Sequence, residues 1–98
     1  MAEYQIQNNT EGRKFEIKLD GHTAFADYMI SGEKIIFTHT EVPKALAGKG
    51  LGSMLAKTAL NYAKDHQLKV MPLCPFMAGY IKRHPEWKEL LLPGFNVG

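Results

Sequence analysis

The sequence contains a single cysteine, little net charge and no long apolar run. One cysteine among 98 residues cannot form a disulfide within the chain. The 12 basic and 10 acidic residues leave a formal charge of +2, which is small for a protein that binds nucleic acid through its phosphates. No segment approaches the roughly 20 apolar residues that cross a bilayer. The first ten residues have neither the basic start nor the apolar core of a signal peptide. We therefore expect no nucleic-acid partner, no membrane partner and a cytoplasmic location.

The composition is that of an ordinary folded domain. Hydrophobic residues make up 45% and charged residues 22%, far from the composition of chains that stay disordered. We expect residues 1–98 to form one domain, because a chain of this length supports a single core. Strand edges in so short a chain allow a monomer or a weak dimer.

Strand patterns dominate the first half of the chain. Phe15, Ile17 and Leu19 fall at every second position, the period of a half-buried strand, and Asp20-Gly21 then suits a tight hairpin turn. The same alternation continues on both sides of a second turn at Ser31-Gly32. The predicted strands are residues 4–7, 13–19, 22–30 and 34–42. Turns this short predict an antiparallel meander.

Helical spacing replaces alternation in the second half. Apolar residues from Leu51 to about His66 recur at the spacing of an amphipathic helix. Residues 68–73 predict a short strand, which can return parallel to residues 34–42 because a helix lies between them. Pro75 suits the first turn of a helix over 76–84, and residues 86–91 can add one more turn. These patterns predict an α/β (α+β) fold, in which strand-helix-strand-helix follows the meander.

A glycine-rich loop joins the third long strand to the first helix. Its sequence is Ala47-Gly48-Lys49-Gly50-Leu51-Gly52. Backbone N–H groups at a helix start can bind a phosphate, and glycines let the backbone approach the anion. The spacing matches neither the Walker loop nor the dinucleotide-binding G-x-G-x-x-G pattern. The alternative is a tight connection with close helix packing.

Several further motifs occur in a fixed order along residues 34–91. They are HTEVP at 39–43, G-x-G-x-G at 48–52, Pro-Leu-Cys-Pro at 72–75, Tyr-Ile at 80–81 and His-Pro at 84–85. In this order the chain resembles short, truncated proteins of the GNAT superfamily of N-acetyltransferases. The resemblance implies a minimal GNAT-like fold whose two parallel strands splay apart, and it implies acetyl-CoA as the acyl donor.

The resemblance also implies which residues bind acetyl-CoA. Backbone amides of the glycine loop would hold the pyrophosphate, and the strand end would hold the pantetheine arm. The implied residues are Val42, Ala47, Gly48, Lys49, Gly50, Leu51, Gly52 and Ser53. Ala47 stands where the superfamily has glutamine or arginine, so one side-chain contact is missing.

Cys74 is the candidate nucleophile. It precedes Pro75, so we expect it to cap the second helix, where the helix dipole favours the thiolate that attacks an acyl group. The thiol could then carry the acyl group before an acceptor receives it. The alternative is a small buried side chain with no chemical role.

Tyr80, His39 and Glu41 are the candidate acid and bases. By the resemblance, Tyr80 would protonate the leaving thiolate; otherwise it is a half-buried aromatic residue. His39 and Glu41 alternate with Thr40, so they share one face of their strand, and either could deprotonate an acceptor. The alternative for His39 is a hydrogen-bonded structural residue. The histidines have no metal-ligand spacing with Cys74, so we expect no metal.

Three functions follow from this reading. The first is acetyl-CoA-dependent transfer to an unidentified amine or other small nucleophile. The second is a non-catalytic CoA-binding module or regulatory subunit, because only the Asp20-Gly21 turn stands where the superfamily has acceptor-site helices. The third is a structural domain whose glycines only make a turn.

Overall fold

The computed structural model describes residues 5–97, which form a five-stranded sheet and two α-helices. The strands are β1 (Gln7–Asn9), β2 (Lys14–Leu19), β3 (His22–Ser31), β4 (Lys34–Glu41) and β5 (Lys69–Pro72). The helices are α1 (Leu51–Asp65) and α2 (Pro75–Arg83), and two short 3-10 helices span Lys44–Leu46 and Pro85–Leu90. The predicted helices and the three long strands are therefore present within a few residues of their expected bounds.

The first strand is displaced from its predicted position. Residues 4–7 were expected, but β1 begins at Gln7 and Tyr4 lies outside the described residues. Gln7 pairs with Glu16, and Asn9 pairs with Lys14. The Asn9 Oδ1 accepts a hydrogen bond from the Gly12 backbone N–H at 2.9 Å, which closes the turn between the two strands. This local side-chain hydrogen bond sets where β1 ends.

The strands follow chain order in the sheet, β1-β2-β3-β4-β5. The first four are antiparallel, and β5 returns parallel to β4 after α1. Asp20 and Gly21 both have positive φ angles, 52° and 77°, as a two-residue hairpin turn matched to strand twist requires. The meander and the parallel return agree with the sequence prediction.

A β-bulge at Thr38 changes the alternation of β4. Tyr28 pairs with Phe37 and Asp27 with His39, so Thr38 has no partner in β3. The extra residue shifts the parity of the strand, and Thr40, which pairs with the buried Ala26, faces the same side as Phe37. His39 and Glu41 consequently point to the opposite face of the sheet.

Both helices contribute to one hydrophobic core. Leu55, Ala59 and Leu60 of α1 are completely buried, and so are Met77 and Ile81 of α2. The sheet residues in this core share one face, and they include Phe15, Ile17, Ala24, Ala26, Tyr28, Ile35, Phe37 and Val70. The helices therefore cover the face of the sheet that Phe37 and Thr40 share.

The opposite face of β2, β3 and β4 is largely polar, and we call it the polar face. Lys14 lies 3.9 Å from the Asp27 carboxylate, and Lys18 lies 3.8 Å from that of Glu16. Glu16 is nonetheless buried. Among residues 5–97, no helix is both long and apolar enough to cross a membrane.

Candidate functional site

Strands β4 and β5 are paired over only half of β4. Their register ends at Phe37 opposite Pro72, and the Cys74 backbone N–H donates the last hydrogen bond to the Phe37 carbonyl at 3.0 Å. Beyond this point β4 continues to Glu41, while the segment that follows β5 enters α2 at Pro75. We call the space between residues 38–41 and the start of α2 the strand gap. Along it, β4 has no β5 partner for its backbone groups.

The glycine loop connects the far end of β4 to the start of α1. Leu46 is completely buried and anchors the chain just before the loop. Gly48 and Gly50 have φ angles of 81° and 73°, in the left-handed region that side-chain-bearing residues resist. Gly50 is the N-cap of α1, and its position supplies no side-chain hydrogen bond to the helix.

The start of α1 therefore presents free backbone donors. The Met54 N–H donates to the Gly50 carbonyl at 3.1 Å, as the first intrahelical bond of α1. The N–H groups of Leu51, Gly52 and Ser53 precede it and have no capping side chain. A 15-residue helix adds the positive end of its dipole at this point. The geometry suits an anion that binds backbone amides, as the sequence analysis expected for a pyrophosphate.

Gly52 has a packing role that the other loop glycines lack. A Cβ built at position 52 would lie 2.6 Å from the Phe76 Cζ, whereas one at Gly48 or Gly50 would meet nothing within 4 Å. Close helix packing, the alternative interpretation of the loop, thus applies to Gly52. Gly48 and Gly50 are required by their backbone conformation instead.

Cys74 caps α2 and is buried, with 3% of its surface exposed. Its Sγ–H donates a hydrogen bond to the Thr40 Oγ1 at 3.4 Å. The pair spans the strand gap, beyond Phe37, the last residue of β4 that pairs with β5. Sequence reasoning missed Thr40, because plain alternation along β4 would have turned it away from the core.

Two apolar side chains beside Cys74 are exposed to solvent. Leu73 retains 56% of its surface and Phe76 retains 36%. Exposed large apolar side chains beside a candidate site are a common feature of ligand-binding surfaces. Neither residue was predicted to belong to the site, although both flank the Cys-Pro motif.

Tyr80 lies further along α2 and is more buried than expected, with 6% exposed rather than half. Its ring packs against His84 at a centroid distance of 4.3 Å. Within residues 5–97 we find no hydrogen-bond partner for the Tyr80 hydroxyl. The hydroxyl is thus free to donate a proton or a hydrogen bond.

His39 and Glu41 lie on the polar face, on the other side of the sheet from Cys74. The His39 Nε2 and the Glu41 Oε1 are 3.4 Å apart, and both side chains are more than half exposed. The Phe25 ring lies 6.0 Å from the imidazole. The structure therefore brings Cys74 together with Thr40 and separates it from His39 and Glu41, although all four border the strand gap.

A cavity of about 560 Å³ lies elsewhere, at the paired end of β4 and β5. It is lined by Ser31, Glu33, Lys34, Lys69, Leu92 and Pro93. The glycine loop and Cys74 are not part of it. Backbone amides at an exposed helix start bind phosphate without an enclosed cavity, so we locate the site by its donors and by the strand gap. Within the described part of the chain, no three His, Cys, Asp or Glu residues are grouped to hold a metal.

Comparison with known proteins gives a consistent result. The family described as GCN5-related N-acetyl-transferase matches residues 14–90. The protein NATD1 of Gallus gallus is 33% identical over 94 residues, which cover 91% of this chain and 86% of that protein. NATD1 of Mus musculus is 32% identical over the same length and with the same coverage.

A solved structure agrees with the fold. It is the NMR solution structure of a GCN5-like protein from Staphylococcus aureus, with a TM-score of 0.74 and 25% sequence identity. The match covers 98% of this chain and 94% of that one. The predicted fold and the resemblance stated from the sequence are both confirmed.

Proposed function

Because this chain belongs to the GCN5-related N-acetyltransferase family, we propose that it transfers an acetyl group from acetyl-CoA to an amine or another small nucleophile. One observation carries the proposal: the uncapped N-terminus of α1 lies beside a parallel strand pair that stops pairing halfway along β4. Together these features offer a phosphate-binding site and, next to it, a slot with unpaired backbone groups. The phosphate-binding site suits the pyrophosphate of an acyl-CoA, and the slot suits its pantetheine arm.

The glycine loop would hold the pyrophosphate. The free N–H groups at the start of α1 would donate to the phosphate oxygens, and Lys49, which is exposed, would add a positive charge. The full set of proposed donor-binding residues is Val42, Ala47, Gly48, Lys49, Gly50, Leu51, Gly52 and Ser53. Ala47 contributes only its backbone here.

The strand gap would hold the pantetheine arm. The amide groups of the pantetheine arm would form hydrogen bonds with the backbone of β4 between the bulge and Val42. In this part of β4, β5 no longer provides hydrogen-bond partners. The exposed side chains of Leu73 and Phe76 would cover its apolar part. The arm would then end beside Cys74 and Thr40.

Acetyl-CoA would supply a thioester whose carbonyl carbon can be attacked by a nucleophile. In a relay, the Cys74 sulfur forms a bond to that carbon and the bond from the carbon to the CoA sulfur breaks. The proton of the Cys74 thiol ends on the CoA sulfur, so the first step needs no further reactant. Tyr80 would relay this proton: its hydroxyl donates to the leaving CoA sulfur and takes up the proton that Cys74 loses, so the CoA sulfur gains one proton in total.

The acceptor would approach from the polar face. His39 and Glu41 border the strand gap on that side, and no helix joins β2 to β3 there. His39 would accept the proton that the attacking amine loses, because imidazole exchanges protons near neutral pH. Attack on the acetylated Cys74 breaks the bond between the acetyl carbon and the Cys74 sulfur and returns the thiol, whereas direct attack on acetyl-CoA releases CoA; His39 and Glu41 would serve both routes.

The test is a turnover assay with a panel of amines, combined with a CoA titration by calorimetry. Release of free CoA that depends on an added amine would support the transferase. Saturable CoA binding with no turnover for any amine would contradict it. Absence of binding would contradict the proposed loop site as well.

A second candidate is a CoA-binding module without turnover, acting as a sensor or a subunit. The Asp20-Gly21 turn favours it, because a tight hairpin stands where ordinary family members carry acceptor-site helices. Such a module would bind CoA or acetyl-CoA, and no amine would change the amount of acetyl-CoA.

A further inference from the structure

We propose that Thr40 is a positioning residue that orients the Cys74 sulfur for acyl transfer. The inference rests on the proposed function, since it assigns a role within the Cys74 step. The proposal is based on the contact of 3.4 Å between the Cys74 Sγ and the Thr40 Oγ1 across the strand gap. Thr40 was not among the candidate residues that the sequence indicated.

The backbone fixes both partners of this contact. Thr40 pairs with Ala26 in the middle of the sheet, and the Cys74 N–H is bonded to the Phe37 carbonyl at 3.0 Å. The bulge at Thr38 is what turns Thr40 toward Cys74. A strand with regular alternation would have placed His39 there instead. The threonine hydroxyl thus reaches the sulfur through the register of β4 and not through a flexible segment.

The hydroxyl suits both protonation states of the thiol. A threonine hydroxyl can accept one hydrogen bond and donate another. In the resting state the thiol donates to it. When the thiol loses its proton, the hydroxyl can rotate and donate to the sulfur, which is buried and has little access to water. Thr40 would therefore hold the sulfur in one rotamer before and during attack.

Other polar groups near the gap are less well placed for this role. His39 and Glu41 point to the polar face, where the His39 Nε2 lies 3.4 Å from the Glu41 Oε1 and the imidazole ring lies 6.0 Å from the Phe25 ring. The Cys74 position at the N-terminus of α2 provides the dipole but no side-chain partner. Thr40 is the side chain that the structure places within hydrogen-bond distance of the sulfur.

Thr40→Val and Thr40→Ser separate the hydroxyl from the shape of the side chain. Valine keeps the volume and removes the hydrogen bond, and serine keeps the hydrogen bond. Thr10→Val is the matched control, since Thr10 is exposed in the turn that follows β1 and lies outside the strand gap. Three quantities are measured: the infrared S–H stretching band of the only cysteine, the affinity for CoA, and the rate of Cys74 acetylation in a single turnover.

In Thr40→Val we expect a shifted S–H band and Cys74 acetylation slower by about tenfold, the effect of one lost hydrogen bond to a charged group. The affinity for CoA should stay as in the wild type. Thr40→Ser and Thr10→Val should match the wild type in all three quantities. A merely structural role would change affinity or folding and would not be restored by serine.

Two results would overturn the proposal in distinguishable ways. If Thr40→Val acetylates Cys74 as fast as the wild type does, the positioning role is wrong while the proposed function stands. If the wild type binds CoA but Cys74 never gains an acetyl group, the relay and the role of Thr40 fail together. Should Thr40→Val not fold, an S–H band in the wild type at the position of a non-bonded thiol would also overturn the proposal.

Discussion

Gly52 of α1 and Phe76 of α2 are packed so closely that a Cβ at position 52 would lie 2.6 Å from the phenyl ring. This contact joins the starts of the two helices, and the start of α2 borders the strand gap. The phosphate-binding end of α1 and the Cys74 end of α2 are therefore held at a fixed separation. The glycine loop contributes to the site both by its free amides and by this packing.

Gly52→Ala should lower stability. The added methyl group must displace the Phe76 ring, and overpacking of this kind costs about 1 to 3 kcal/mol. The loss of stability is measured by thermal unfolding, monitored by circular dichroism. Gly79→Ala in α2 is the control, because its Cβ would lie 3.4 Å from the flexible end of Arg83 and alanine favours a helix. Equal melting temperatures for Gly52→Ala and the wild type would show that the helix starts can move apart.

Gly50→Ala should weaken CoA binding more than it lowers stability. The residue has a φ of 73°, and alanine costs about 1 to 2 kcal/mol in that conformation, so the loop would relax and misplace its amides. Gly32→Ala is the matched control, with a φ of 61° in the turn between β3 and β4, away from the site. Both variants should lose similar stability, but only Gly50→Ala should bind CoA less tightly in a calorimetric titration. A similar loss of affinity in the two variants would contradict the role of the loop.

His39→Ala and Glu41→Gln should slow transfer to the acceptor without changing Cys74 acetylation. Both side chains lie on the polar face, away from Cys74, so they should act only in the step that involves the acceptor. Loss of a general base lowers the rate by about 100-fold or more. Lys18→Ala, an exposed residue of the same face, is the control. Normal turnover in both variants would show that neither His39 nor Glu41 acts as a base in transfer to the acceptor.

Stability should fall at alkaline pH because of Tyr28. Burial, and then the nearby Tyr62, raise the pKa of Tyr28 above its usual value of 10.0, despite the opposing hydrogen bond to Asn8. A raised pKa in the folded state means that the folded protein holds the proton more tightly than the unfolded chain. The resulting contribution to the free energy of unfolding is complete below about pH 10 and decreases as pH rises toward the folded pKa.

The Tyr28→Phe variant tests this assignment. Its free energy of unfolding should be lower than that of the wild type at neutral pH, because the hydroxyl donates to the Asn8 Oδ1 at 2.6 Å. It should also fall less steeply above about pH 10. Denaturant unfolding at neutral and alkaline pH measures both. Parallel pH curves for the two proteins would assign the alkaline loss to other groups.

Much of the fold follows from local patterns in the sequence. The alternation of Phe15, Ile17 and Leu19, the Asp20-Gly21 turn and the helical spacing after Leu51 were each sufficient to predict their elements. Pro75 likewise marked the start of α2. These features depend on residues that are close together in the chain, so they can be predicted from a single sequence.

Other features depend on tertiary pairing and could not be read in this way. The bulge at Thr38 arises from how β4 registers with β3, and nothing in the run of threonines and histidine marks which residue is extra. For that reason the contact between Thr40 and Cys74 was missed, as was the separation of His39 from Cys74. The exposure of Leu73 and Phe76 depends on where β5 ends. The position of β1 depended on a side-chain hydrogen bond of Asn9.

Acyl transfer through Cys74 is tested most directly by the intact mass of the protein after incubation with acetyl-CoA, for the wild type and for Cys74→Ser. If the relay operates, the wild type gains one acetyl group and Cys74→Ser gains none, while both proteins still bind CoA. Peptide mapping should place the group on Cys74. A wild type that binds CoA but gains no acetyl group would contradict the relay, and the same gain in Cys74→Ser would place the acetyl group on another residue.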